Sequence, residues 1–154
     1  IYEELQKIQH DHESNIDIIQ EDLREEKASG AFFCEYGVFR KIYALESRSS
    51  RRLGISVHLA LVSLYLDFQI QKDDQDYTDL IGVGMSVLEE TLMKKLRSSD
   101  IVCRYSVNQF LVMLPACQYE DAKMVVNRLK DSFYRSGKTG RLLLQYSIDE
   151  LDVE

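Results

Sequence analysis

Apolar positions return along this chain in two rhythms, and the alternation between them divides it into elements. Ile1, Leu5, Ile8, His12, Ile16 (or Ile19) and Leu23 recur at spacings of three or four, with charges elsewhere, which predicts a helix. Ser29 and Gly30 interrupt it. Val38, Phe39, Ile42 and Leu45, with Tyr43 beside them, mark a second helix that Gly54 closes. Residues 55–68, "ISVHLALVSLYLDF", are near-continuously apolar and β-branched, which predicts a central strand covered on both faces. A polar loop, "QIQKDDQDYTD", leads to a third helix on Ile81, Met85, Leu88, Leu92 and Leu96, which closes at "RSSD". Residues 101–105 and 110–114 read as the two strands of a hairpin. Ala122, Val125, Val126, Leu129 and Phe133 give a fourth helix, "SGKTG" a turn and "RLLLQYSI" a last strand. Helix, helix, strand, helix, hairpin, helix and strand in this order predict an α/β sandwich of the ferredoxin-like kind, with helices flanking one sheet.

Composition narrows the class. A chain of 154 residues, 45% of them hydrophobic, builds one core. No apolar run is long enough to cross a bilayer, and no basic start followed by a short apolar core suggests a secretory signal. The first residue is Ile, which reads as the start of an excised piece of a longer protein. Cys34, Cys103 and Cys117 are odd in number and lack CxxC spacing, which fits reduced thiols in a cytoplasmic protein.

Charge is spread unevenly. Residues 1–27 hold nine acidic side chains against Lys7, Arg24 and Lys27, or −6 of the total −7. Such a segment argues against direct binding to nucleic acid or to an anionic membrane. Residues 1–28 are therefore set apart as an acidic helix or linker before a domain at 29–154. Two readings of that helix stay open: a surface helix packed on its own domain, and a coiled coil that pairs two chains. His10 and His12 fall on opposite helix faces and do not share a metal. Arg48, Arg51 and Arg52 form a basic cluster that reads as a solvated helix end.

The candidate chemistry lies in residues 97–115, "RSSDIVCRYSVNQFLVMLP". The turn of its hairpin carries Val107, Asn108 and Gln109 where glycine would be favoured. This run, followed by "YEDAKMVVNRLKDSF", resembles the core of GGDEF domains, the bacterial diguanylate cyclases. Their usual pattern is Arg-x-Ser-Asp, three residues, then Arg-Tyr-Gly-Gly-Asp-Glu-Phe and an apolar strand ending in Pro. The spacing matches without a gap, and the resemblance extends over about residues 30–150. "GAFFCEY" and "LESRSSRRLG" are similar to a divergent branch appended to bacterial transcriptional and response regulators.

What the resemblance implies is a nucleotidyl-cyclase sheet whose site has been lost. Ser106 and Val107 stand at the glycine positions, and Asn108 and Gln109 at the acidic ones. A Val side chain raises the cost of positive backbone dihedrals and fills space that a phosphate would need. Amides carry no charge to neutralise Mg²⁺ on a triphosphate and accept no proton at neutral pH. Where the family's first strand ends in Asp-x-Asp, this one ends in Tyr65-Leu66-Asp67, so Asp67 is the one vestigial metal-ligand candidate. Asp73, Asp74, Asp76 and Asp79 lie in the following polar loop without regular ligand spacing. The family's last helix and strand have no counterpart in the chain. No catalytic residue, metal or cofactor is expected.

One feature of the resemblance survives. Arg97 and Asp100 match the family's Arg-x-x-Asp motif for cyclic di-GMP, with Arg104 as a further cation; a guanidinium suits bidentate contact to phosphate or guanine. Against it stands a reading in which Asp100 caps the turn and Arg97 bonds to the preceding helix's carbonyls. The expected function is a catalytically inactive signalling module for self-association or contact with neighbouring domains. The alternatives are a cyclic di-GMP receptor and, last, an active cyclase.

Overall fold

The computed structural model describes residues 15–24, 29–66 and 75–151. Its elements are α1 (Ile16–Leu23), β1 (Phe32–Cys34), α2 (Tyr36–Leu53), β2 (His58–Leu66), α3 (Gln75–Lys95), β3 (Ile101–Ser106), β4 (Gln109–Leu114), α4 (Tyr119–Arg135) and β5 (Leu142–Glu150). One five-stranded sheet runs in the order β1-β3-β4-β2-β5. Among the described strands, only β1, beside β3, is parallel to its neighbour. The architecture is α+β, as the pattern of the sequence predicts.

Alternation along the strands decides which face each helix covers. Ala60, Val62 and Leu64 of β2, Phe110, Val112 and Leu114 of β4, and Leu142 and Leu144 of β5 point to one face. There Ile81, Met85, Leu88 and Leu92 of α3 and Ala122, Val126, Leu129 and Phe133 of α4 cover them. Gly84 lets α3 lie close to the sheet, because a Cβ there would collide with Leu142 and crowd Leu64. On the opposite face α2 inserts Phe39 among Ile101, Cys103 and Met113, a smaller second cluster. The end of α2 is set by Gly54 at φ 67°, whose N–H bonds to the Ser50 carbonyl at 2.8 Å.

Four expectations change. Strand β1 was not foreseen: three residues are too few for a period, and its pairing with β3 is long-range. Strand β2 is central but not covered along its whole length on both faces; Leu59 and Leu61 are half-buried and Tyr65 is exposed, because α2 packs over β3. Val38 and Leu45 fall outside the buried stripe of α2 and are exposed. Helix α1 ends at Leu23, with Arg24 extended, before the Ser29-Gly30 signal, and no residue of α1 is buried. The stripe from Ile1 to His12, and His10 with it, lies outside the described residues, as do Asp67, Asp73 and Asp74.

Candidate functional site

The hairpin between β3 and β4 closes through two residues, Val107 and Asn108, with Ser106 directly opposite Gln109. Two-residue loops ordinarily use turns with positive φ, hence glycine. Among the described residues only Ala116 is a non-glycine with positive φ, so Val107 and Asn108 do without that conformation. A register shift between Arg104 and Ser106 supplies an extra residue instead, and a bulge of this kind re-aims the strand ends.

The polar side chains of the turn are turned back on the protein. Ser106 Oγ lies 3.1 Å from Asn108 Oδ1 and 2.9 Å from Gln109 Oε1, its single proton shared between the two amides. Asn108 Nδ2 donates to the Leu64 carbonyl at 3.0 Å, and Gln109 Nε2 donates to Ser63 Oγ at 3.1 Å. Backbone follows, with Leu64 N–H bonding to the Asn108 carbonyl at 2.9 Å. Arg104 caps the same turn from outside, Nη2 on the Val107 carbonyl at 3.2 Å and Nε on that of Ser106 at 3.4 Å. Every bond in this network ties the hairpin to itself or to the end of β2. Its amides and hydroxyls are neutral, and the donor set does not fit a divalent cation, which takes carboxylates.

Sequence reasoning missed Ser63. It sits 5% exposed between Gln109 on β4 and Gln145 on β5. The signal was available in "LALVSLYL", where a hydroxyl interrupts an apolar strand.

At the other end of β3, Arg97 and Asp100 make a second polar turn, between α3 and the strand. Arg97 N–H donates to Asp100 Oδ2 at 2.8 Å and Arg97 Nη2 to Oδ1 at 3.1 Å; Asp100 N–H returns to the Arg97 carbonyl at 3.0 Å. Arg97 Nη2 also reaches the Pro115 carbonyl, at 3.1 Å, rather than the carbonyls of α3. Asp100 is fully buried, while the Arg97 side chain is 53% exposed. The hydrogen bond that the guanidinium donates to the Asp100 carboxylate raises its already high pKa.

The structure therefore separates residues that the motif grouped. Arg97 and Asp100 stand together, but Arg104 belongs to the hairpin at the far end of β3. A six-residue strand puts about 20 Å between those ends. Asp76 lies in the first turn of α3 and Asp79 is exposed one turn on. Among the described residues no group of three or more His, Cys, Asp or Glu is placed to share a metal ion.

The cysteines sit as small hydrophobes. Cys34 and Cys103 are register partners on β1 and β3, and all three thiols are free. Burial, helped by the neighbouring Cys34, pushes Cys103 up to about 11; burial also raises Cys34 and Cys117. Thiols held in this way are protonated at neutral pH and make poor nucleophiles.

No protein-family model and no curated protein matches the chain. Solved structures do. Diguanylate cyclase SiaD from Pseudomonas aeruginosa, solved with its activator SiaC, matches at TM-score 0.62 and 19% identity, over 99% of this chain and 60% of that one. The fold is that of a GGDEF domain. The GGDEF domain of DgcB from Caulobacter crescentus, in complex with c-di-GMP, matches at TM-score 0.60 and 13% identity, over 84% of this chain and 81% of that one. The GGDEF domain of FimX from Pseudomonas aeruginosa gives 0.58 and 15%, with the same coverage. This chain thus spans less than two thirds of the SiaD chain.

Proposed function

We propose that this chain is a catalytically inactive GGDEF-like signalling module that works through self-association and protein contact within a bacterial regulator. The observation that carries the reading is the hairpin network, in which Gln109 and Asn108 spend their amides on Ser63 and on the Leu64 carbonyl. A turn committed to holding the sheet leaves neither charge for a metal-bound triphosphate nor a base for a ribose hydroxyl. Helix α1 supports the second half of the reading: Ile16, Ile19 and Leu23 are 66, 45 and 75% exposed on a helix that buries nothing. Protein contact by this fold has a precedent in SiaD with its activator SiaC.

Light scattering across a dilution series tests it. The chain should run as a dimer at micromolar concentration, and Ile16→Ser with Leu23→Ser should leave a folded monomer. A monomeric wild-type chain overturns the self-association.

A second reading, a cyclic di-GMP receptor, draws on the DgcB complex and on the half-exposed Arg97. Both oxygens of Asp100 are already occupied by Arg97, which weighs against it. Calorimetric titration with cyclic di-GMP decides: saturable heat that disappears in Arg97→Ala establishes the receptor, and silence removes it.

A further inference from the structure

The second face of the sheet is half dressed. Helix α2 lies over β3 and leaves Leu61 and Leu111 half-buried, with Tyr65 and Leu143 38 and 37% exposed. Where α2 meets β2 and β4 there is a cleft of about 460 Å³, lined by Tyr36, Phe39, Arg40, Tyr43, Leu59 and Leu111. Arg40 stands at its rim, with Lys41 next to it, both exposed. A sheet in a layered domain packs a helix across each face, and among the described residues part of this face has none.

Helix α1 has the opposite deficiency. Ile16, Ile19 and Leu23 fall at i, i+3 and i+7, a stripe that faces solvent, with Asp17 and Asp22 on its two flanks. Apolar stripe and apolar cleft match, and so do the charges beside them: acids on the helix, cations at the rim. In its own chain α1 buries nothing, and it leads towards β1, the edge strand, with α2 lying between that edge and the cleft.

We propose that α1 of a second copy of this chain lays its Ile16–Ile19–Leu23 stripe into the cleft between α2, β2 and β4, with Asp17 and Asp22 against Arg40 and Lys41. The arrangement is reciprocal, each copy giving a helix and receiving one, as a two-fold dimer requires. It rests on the self-association proposed above and names the surface that carries it.

Reciprocity supplies the test. Two variants are made in the full chain, Arg40→Glu with Lys41→Glu, and Asp17→Lys with Asp22→Lys; all four positions are exposed, and circular dichroism confirms the fold of each. Sedimentation velocity should show each variant alone as monomer, with the dimer dissociation constant raised at least tenfold over that of the wild-type chain. An equimolar mixture should recover the dimer, because every helix then meets a cleft of opposite charge. A dimer that survives Arg40→Glu with Lys41→Glu, yet is lost in Ile16→Ser with Leu23→Ser, means that α1 pairs with α1. That outcome overturns this inference and leaves the proposed function standing. Two monomeric variants that fail to recover on mixing also overturn it. A wild-type chain that is monomeric throughout overturns both.

Discussion

The two ends of β3 carry polar turns of opposite design. At its start, Arg97 and Asp100 keep full charges, and the carboxylate is sealed from water while the guanidinium is half exposed. At its end, Ser106, Asn108 and Gln109 carry no charge; Asn108 and Gln109 bond to β2, and the Ser106 hydroxyl bonds to both of them. Both turns use their side chains to satisfy local backbone and neighbouring strands. The difference lies in what each leaves over. The first keeps one cation, Arg97, half exposed to solvent; the second ties its cation, Arg104, to the turn's own carbonyls, and its other polar side chains are neutral. The solvent-facing charge of the first turn is the half-exposed Arg97 guanidinium, and the second turn fastens β4 to β2.

The largest break in this comparison comes from the buried carboxylate. Asp100→Ala removes the acceptor for two donors of Arg97, one of them charged, and should cost about 2–4 kcal/mol, read as a fall in the urea midpoint. Along the strand between the two turns, Cys103 adds a pH dependence. Its folded-state pKa, about 11, lies above the ordinary 9.0, so the protonated thiol is favoured by folding. That contribution is complete below pH 9 and is lost as pH rises towards 11. The urea midpoint should decline over that window, and Cys103→Val should flatten the decline.

At the hairpin the effects are smaller and coupled. Gln109→Ala and Ser63→Ala should each cost about 1 kcal/mol, with the double variant costing clearly less than the sum, since both break the bond between Gln109 Nε2 and Ser63 Oγ. Simple additivity in that cycle would mean that the network does not hold the strands together. Least affected should be Arg97→Ala. Its guanidinium is 53% exposed, and the change should cost about 0.5–1 kcal/mol, well below its partner Asp100→Ala. Equal costs for the two would erase the distinction between a buried cap and an exposed cation.

Much of this was legible in the sequence because periodicity reports burial. Ile81, Met85, Leu88 and Leu92 fall on the covered face of α3, and Ala122, Val126, Leu129 and Phe133 on that of α4, as their spacing requires. Residues whose place depends on partners far along the chain were not legible. Strand β1 exists through its pairing with β3, and Val38 is exposed because α2 turns Phe39 inward. At the site, the uncharged residue types of the turn could be read from the sequence alone. What they bond to could not, since Ser63 meets Gln109 only once β2 and β4 are paired. Arg104 illustrates the same limit: its bond to the Val107 carbonyl follows from a bulge that no sequence pattern announced.

The central claim is that the residues at the signature turn hold the sheet instead of a metal-bound nucleotide. Its most direct test is to incubate the purified chain with GTP and Mg²⁺ and quantify cyclic di-GMP by mass spectrometry. The account predicts no product above the protein-free control at any pH from 6 to 9. Product that accumulates with time and scales with protein concentration would contradict it.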